Sequence, residues 1–287
     1  MRFVSQTEVE KGWSGDRKYC VVTEDGRRAF LRIAPPEKAE RTRQAFAWQQ
    51  RVAALGIPMS LPLEISGCPD GSVSALYTWI DGADAEEAVP ALPREEQRRL
   101  GLEAGRHLRR IHALSAPEDA PDWEERFNRK MDRKIESYLT CPIRVPGAEC
   151  FIDYIEANRN LLRGRPQCFQ HGDYHIGNMM LQGGEIVVID FDRYDFGDPW
   201  EEFNRIVFCA EASPPFASGM VDGYFGGSVP REFWQLLALY ISSNALSSLP
   251  WAIPFGEEQV RKFTAQLLAI MDWYDHMHTV VPSWYGA

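Results

Sequence analysis

An acid at Asp173, an amide five residues on at Asn178 and a second acid at Asp190 form the constellation in this chain best suited to chemistry. They lie in Phe169-Gln-His-Gly-Asp-Tyr-His-Ile-Gly-Asn178 and in Glu185-Ile-Val-Val-Ile-Asp190. One carboxylate can orient an attacking hydroxyl, while a carboxylate and an amide oxygen together can ligate a hard cation such as magnesium. Phosphoryl transfer from a magnesium nucleotide asks for that combination, because its catalysis is mostly positioning and charge neutralisation. A single Asp or Asn in such a loop more often makes a turn or a cap. The combined spacing is what points to chemistry.

The neighbouring elements must hold these groups. Asp173 and Asn178 fall in a short loop between two apolar stretches, Cys168-Phe169 and Met179-Met180-Leu181, and buried strands on either side would make that loop rigid. The Gly183-Gly184 turn is short, so 179–181 and 185–189 should pair antiparallel and return Asp190 beside Asn178. Upstream, residues 3–33 read as strands. Tyr19–Thr23 and Arg28–Ile33 flank Asp25-Gly26, a dipeptide that favours a two-residue type I′ turn. A helix is expected over 38–55, stopped by Gly56 and Pro58, and a strand over 72–80. After Asp81 helices dominate. One over 94–114 presents Leu100, Ala104, Leu108 and Ile111 on one face. The next repeats Trp123, Phe127, Met131, Ile135 and Leu139, with Arg126, Arg129, Lys130, Arg133 and Lys134 as a solvated basic face. A third spans about 151–162.

Composition narrows the class. The chain has 287 residues, 45% hydrophobic and 25% charged, suited to two lobes or one large domain. A net charge of −10 leaves no cationic excess for phosphate backbones, so no nucleic-acid partner is expected, while an amine-bearing ligand is compatible with it. Six scattered cysteines without a C-x-x-C pair read as reduced thiols of a cytoplasmic protein, and the N-terminus has no signal-peptide pattern. Phe233 to Ile253 is apolar but interrupted by Gln235, Asn244, four serines and Pro250, which predicts a core helix and no membrane span.

His171-Gly-Asp173-Tyr-His175-Ile-Gly177-Asn178, Ile189-Asp190-Phe191-Asp192 and Gly197-Asp198-Pro199 resemble the aminoglycoside phosphotransferase family. That group of kinase-like small-molecule phosphotransferases includes choline and homoserine kinases. The resemblance is tight over about 168–204. It implies an α+β, bilobal protein-kinase-like fold: a small β-rich nucleotide-binding lobe over 1–80 and a larger, mainly helical catalytic and substrate-binding lobe over 81–287. It implies ATP or GTP as co-substrate with Mg2+, and transfer of the γ-phosphoryl group to a hydroxyl of a small, amine-bearing acceptor. By that resemblance Asp173 is the catalytic acid and Asn178 and Asp190 the metal ligands. His175 either approaches the transferring phosphate or satisfies loop carbonyls; His171 braces the loop; Asp198 is structural. Asp195-Phe196-Gly197 spells the metal-binding tripeptide of protein kinases but lacks a preceding apolar strand, so Asp190 takes that part. Asp192 is a second ligand or a substrate-facing acid.

For the nucleotide, Gly12, Ser14 and Gly15 lie in a loop between two strands whose N–H groups can cover phosphates, though a G-x-x-G spacing also suits an ordinary hairpin. The resemblance places the Thr78 carbonyl and the Ile80 N–H at the adenine edge. Two departures stand out. Arg32 occupies the place of the family's phosphate-binding strand lysine, and the helix glutamate that should hold it is missing near 44–47, with Glu37 or Glu40 as substitutes. These departures keep a nucleotide-binding regulator open as an alternative. A metallohydrolase built on His171, Asp173, His175, Asp190 and Asp192 ranks below both. The downstream acids Asp192, Asp195, Asp198, Glu201, Glu202 and Glu211 could attract an amine, though solvated surface is the commoner reading of such residues.

Overall fold

Alternate residues are buried at Val21 and Thr23 and again at Ala29 and Leu31, with Val22 and Phe30 between them only partly covered. In the computed structural model, which describes residues 3–10 and 15–286, β1 (Phe3–Glu8), β2 (Arg17–Thr23) and β3 (Arg28–Ala34) run antiparallel. Helix α1 (Ala39–Ala53) follows, then β4 (Pro62–Gly67) and β5 (Val73–Thr78), completing a five-stranded sheet in the order β1-β2-β3-β5-β4. Val21, Ala29, Leu31 and Leu76 form the core on one face, and Ala75 and Tyr77 meet Phe46 of α1 on the other. Fully burying a side chain such as Phe46 is worth about 1.5–3 kcal/mol. Register puts Lys18 opposite Arg32 and Arg32 opposite Ala75, so both cations stand on the face that α1 covers.

Three details differ from the sequence expectation. The β2–β3 turn is a three-residue loop, with Thr23 N–H donating to the Arg27 carbonyl and Gly26 N–H to the Thr23 carbonyl. A type I′ turn needs positive φ at both central residues, and only Gly26 has it (80°); Asp25 instead accepts from Arg27 Nε at 2.7 Å. Strand β4 was not expected at all. It is an edge strand that opens on Pro62 and leaves Leu63 exposed; Pro69-Asp70-Gly71 marks the turn that follows it, but the stretch has no apolar run. The helix predicted from 38 begins one residue later, after a 3₁₀ turn over Pro36–Lys38.

The chain continues through β6 (Ala83–Asp84), α2 (Ala85–Ala88), α3 (Arg94–Ile111), α4 (Trp123–Thr140) and α5 (Glu149–Asn158). Next come β7 (Cys168–Gln170), β8 (Met179–Gln182), β9 (Glu185–Val188) and β10 (Asp195–Gly197). Helices α6 (Ile206–Ala212), α7 (Pro214–Phe225), α8 (Arg231–Ala252) and α9 (Glu257–Trp273) complete it. The result is the expected α+β class, a small β-rich part and a larger helical one. Two compact units emerge. The first comprises Met1–Ala88, His171–Asp173 and Gly177–Tyr194; the second comprises Val89–Gln170, Tyr174–Ile176 and Asp195–Ala287. The β8–β9 hairpin belongs to the first unit because β8 pairs with β6 and Val188 bridges Met59.

Within the second unit, α3 and α7 touch backbone to backbone. A Cβ at Gly101 or Gly105 would lie 2.1 Å from a carbonyl of α7, and one at Gly219 or Gly223 would strike α3 at 2.3 and 2.1 Å. Leu100, Ala104, Leu108 and Ile111 are buried as expected. On α4 the four-residue repeat fails at its end: Leu139 is 53% exposed and Tyr138 is buried instead. A four-residue step advances about 40° beyond a full turn, so a strict repeat walks off the buried face. The basic face of α4 is also more than a solvated surface. Arg126 donates to both carboxylate oxygens of Asp195 at 3.1 Å, and Lys130 pairs with Glu201 at 3.1 Å. Helix α8 is the one described helix long and apolar enough to cross a membrane, and 72% of that stretch is buried, as in a core helix. None of the six cysteines forms a disulfide.

Burial pushes the Lys134 ammonium down to about 7, aided by Lys130 and opposed by Glu201. Between that value and the unfolded value of 10.5 the folded chain binds fewer protons than the unfolded one, so this group makes stability rise with pH. Its penalty is fully present below about pH 7. Lys134→Met is therefore expected to resist urea better than the wild type at about pH 6, with the advantage fading towards about pH 10.

Candidate active site

The site begins at β7, whose three residues are all buried. His171 follows, fully buried. Its Nε2 donates to the Ile189 carbonyl at 2.9 Å, its Nδ1 accepts from the Asp173 N–H at 3.3 Å, and its ring lies 4.4 Å from that of Phe191. The imidazole thus ties the start of the loop to the end of β9, the bracing role expected of it. Gly172 has φ of 85°, and a Cβ there would sit 1.9 Å from the Arg193 carbonyl oxygen. Glycine alone fits.

Asp173 keeps 18% of its side chain exposed, with Arg193 Nη1 3.8 Å from Oδ2. Its backbone carbonyl accepts from Asn178 Nδ2 at 2.9 Å. That bond engages the nitrogen end of the amide; the other end is an oxygen acceptor of the kind a hard cation takes. Residues 174–176 belong to the second unit. There Tyr174 donates to the Ala104 carbonyl at 2.7 Å, Ile176 N–H meets Cys209 Sγ at 3.3 Å, and the His175 ring lies 4.9 Å from Phe208.

The hairpin then does what its turn predicts. Gly183 and Gly184 both have positive φ (61° and 83°), Met179 pairs with Val188, and Ile189 N–H donates to the Asn178 carbonyl at 3.1 Å. Asn178 and Asp190 therefore stand at the same end of one hairpin. Asp190 is exposed and adopts a left-handed conformation (φ 64°, ψ 66°), uncommon outside glycine. Such conformations cost about 1–3 kcal/mol and persist where the surroundings impose them, often at functional sites. One carboxylate and one oriented amide oxygen fit magnesium, which takes a few protein oxygens and completes its shell with phosphate and water. Among the described residues no group of three or more His, Cys, Asp or Glu could hold a metal.

Beside the hairpin, in the same unit, lies a knot of charge. Arg32 is only 9% exposed; its Nε donates to Asp16 Oδ2 at 2.6 Å, and its guanidinium also pairs with Asp192. Lys38 Nζ reaches Asp16 Oδ1 at 3.0 Å. Burial lowers the Lys18 pKa, against the pull of Asp190 and Asp16 and with the help of Arg32 and Lys38. Neither expected substitute holds Arg32: Glu37 and Glu40 are exposed, and Glu40 accepts from Gln44 Nε2 at 2.9 Å. Asp16 is the acid that the sequence reading missed. Its signal was an acid directly before a strand that begins Arg17-Lys18.

Of the other nucleotide candidates, Gly15 is described, with φ of 44° and open space around it, whereas Gly12 and Ser14 lie outside the described residues. The Thr78 carbonyl, expected to face a ligand, accepts from Ser60 Oγ at 2.9 Å, and its N–H donates to the Leu61 carbonyl at 2.9 Å. Ser60, adjacent to the unforeseen β4, is the reason. Ile80 N–H makes no hydrogen bond among the described residues.

Residues 5–234 match the profile of the phosphotransferase enzyme family (APH). The chain belongs to this family. Solved structures share the phosphotransferase's fold. The aminoglycoside phosphotransferase APH(4)-Ia is 16% identical, with 94% of this chain and 93% of that one covered and a TM-score of 0.69. The amicoumacin kinase hAmiN, in complex with AMP-PNP, Ca2+ and Ami, is 15% identical over 96% and 90%, with a TM-score of 0.68. A choline/ethanolamine kinase family protein from Mesorhizobium loti is 18% identical over 97% and 92%, also at 0.68. No curated protein sequence matches the phosphotransferase.

Asp173, Asn178, Asp190, Arg32, Gly15, Thr78 and Ile80 all fall in the first unit, and His175 in the second. Most of the acids offered as an amine-attracting surface are already paired: Asp195 with Arg126, Asp198 with Arg165 and Tyr240, Glu201 with Lys130 and Glu202 with His112. Asp198 is fully buried, in keeping with a structural role, and Asp195 pairs with Arg126. Gly172→Ala is expected to lower the thermal unfolding midpoint by roughly 5–10 °C. Gly227→Ala, with open space and no positive φ, should leave it unchanged in the same melt.

Proposed function

We propose that this phosphotransferase transfers the γ-phosphoryl group of ATP or GTP to a hydroxyl of a small, amine-bearing acceptor of aminoglycoside type. The observation that carries the reading is the hairpin pairing that gathers Asn178 and Asp190 at one end, with Asp173 bonded to Asn178. Asp173 orients the acceptor hydroxyl and takes its proton, with Arg193 Nη1 3.8 Å from its Oδ2. Magnesium, held by Asn178 and Asp190 with the nucleotide, would neutralise charge on the phosphates. Arg32 and the loop around Gly15 face those phosphates, His175 approaches the transferring group, and Ile80 N–H meets the base. Residues 1–80 then act as the nucleotide lobe and 81–287 as the catalytic and substrate lobe of a cytoplasmic enzyme. The net charge of −10 suits a cationic acceptor.

A nucleotide-binding regulator is the second reading, favoured by Arg32 already satisfied between Asp16 and Asp192. A metabolite kinase acting on choline or homoserine differs only in acceptor. One experiment separates them: release of ADP from magnesium-ATP in the presence of aminoglycosides, choline and homoserine. Turnover with an aminoglycoside supports the first reading, and Asp173→Ala should reduce it by about 10²–10⁴. Unchanged turnover in that variant removes Asp173 from its role. Tight nucleotide binding without ADP release on any acceptor favours the regulator.

A further inference from the structure

We infer that Asp192, backed by Asp16, is the positioning residue for the phosphate-facing Arg32 and does the work that an acid on α1 would otherwise do. The inference rests on the nucleotide site proposed above and concerns how that site is held together.

Helix α1 has no acid to give. Its buried face consists of Ala39, Thr42, Ala45, Phe46, Gln49 and Val52, and Glu40 is turned to Gln44 in solvent. What α1 offers is positive charge. Lys38, at its start, binds Asp16, and Arg41 donates to the Tyr194 carbonyl while its guanidinium lies 3.6 Å from the centre of the Tyr194 ring. Tyr194 OH donates back to Gln44 Oε1 at 3.2 Å. The helix therefore grips the segment that runs from Asp190 to Tyr194, and that segment carries the acid.

Arginine at position 32 matches this arrangement. A guanidinium is a rigid fork with five donors, so Nε can serve Asp16 while Nη1 serves Asp192. A lysine ammonium is a single point on a flexible stem and would not hold two acids from separate segments in fixed geometry. Side-chain exposures of 10% for Arg32, 0% for Asp16 and 23% for Asp192 mean the pairs are largely withdrawn from water, where losing one partner is costly. The replaced strand lysine and the absent helix acid are thus one exchange. It leaves β3 tied to the turn that begins at Asp190, so the phosphate cation and the metal ligand are registered against each other through two residues of backbone. It also assigns Asp192 to the guanidinium rather than to a second metal.

The test is a double-mutant cycle on the full chain with Asp192→Asn, Arg32→Lys and both, read by calorimetric titration with magnesium-ATP and by urea unfolding without nucleotide. Each single change is expected to weaken ATP binding by about tenfold or more, and the double variant no further than the worse single. The magnesium concentration for half-maximal binding should not move in Asp192→Asn, and Asp192→Glu should recover part of the affinity. Effects that multiply in the double variant, or a raised magnesium requirement in Asp192→Asn, would overturn the assignment. If the wild type binds no nucleotide, the proposed function fails, and the urea cycle still decides: coupled losses uphold the pairing, additive ones refute it.

Discussion

The hydrogen bond from Ile189 N–H to the Asn178 carbonyl is the contact on which the rest of the site depends. It closes the ladder of a hairpin whose two-glycine turn admits one register, and a slip of one residue would turn every side chain to the opposite face. With the register fixed, Asn178 and Asp190 end side by side. The neighbouring contacts serve to keep them there. His171 bonds the Ile189 carbonyl, Gly172 lets the Arg193 backbone approach, and Asn178 holds the Asp173 carbonyl. Bonds of this kind contribute about 1 kcal/mol each, but in a closed set each fixes the geometry of the next.

The second constraint is electrostatic. Lys18 faces Arg32 across β2 and β3, and like charges directly opposite on a sheet repel. Asp16, Asp192 and Asp190 answer them, and Lys38 balances Asp16. Three cations against three acids leave the cluster nearly neutral in itself. A magnesium nucleotide bound as proposed would bring its own cation and its own anions, and its charge would be redistributed among fixed partners with little rearrangement.

How much of this could be read in the residues follows from how local each cause is. Gly183-Gly184 between two apolar runs dictates a tight hairpin, so the Asn178–Asp190 juxtaposition was legible. Asp195 is set aside in the sequence because Arg193 and Tyr194, which precede it, do not read as an apolar strand. The partners of Arg32 were not legible, since Asp16 and Asp192 are separated from it along the chain and nothing local distinguishes a guanidinium held by helix from one held by loops. Strand β4 escaped because an edge strand opening on proline has no apolar run to betray it. The Gly101/Gly105 and Gly219/Gly223 contact escaped because close helix approach is a property of two segments, and each glycine pair alone looks like a weak helix. Leu139 was misplaced by reading a four-residue repeat as though helices turned every four residues.

The central claim is that Asn178 and Asp190 form a metal site completed by nucleotide. The most direct measurement is ATP affinity with magnesium and with chelator, in the wild type and in Asp190→Asn. The account requires magnesium to tighten binding to the wild type and to lose that effect in the variant, while metal-free ATP binds both alike. Equal tightening by magnesium in the two proteins would contradict it.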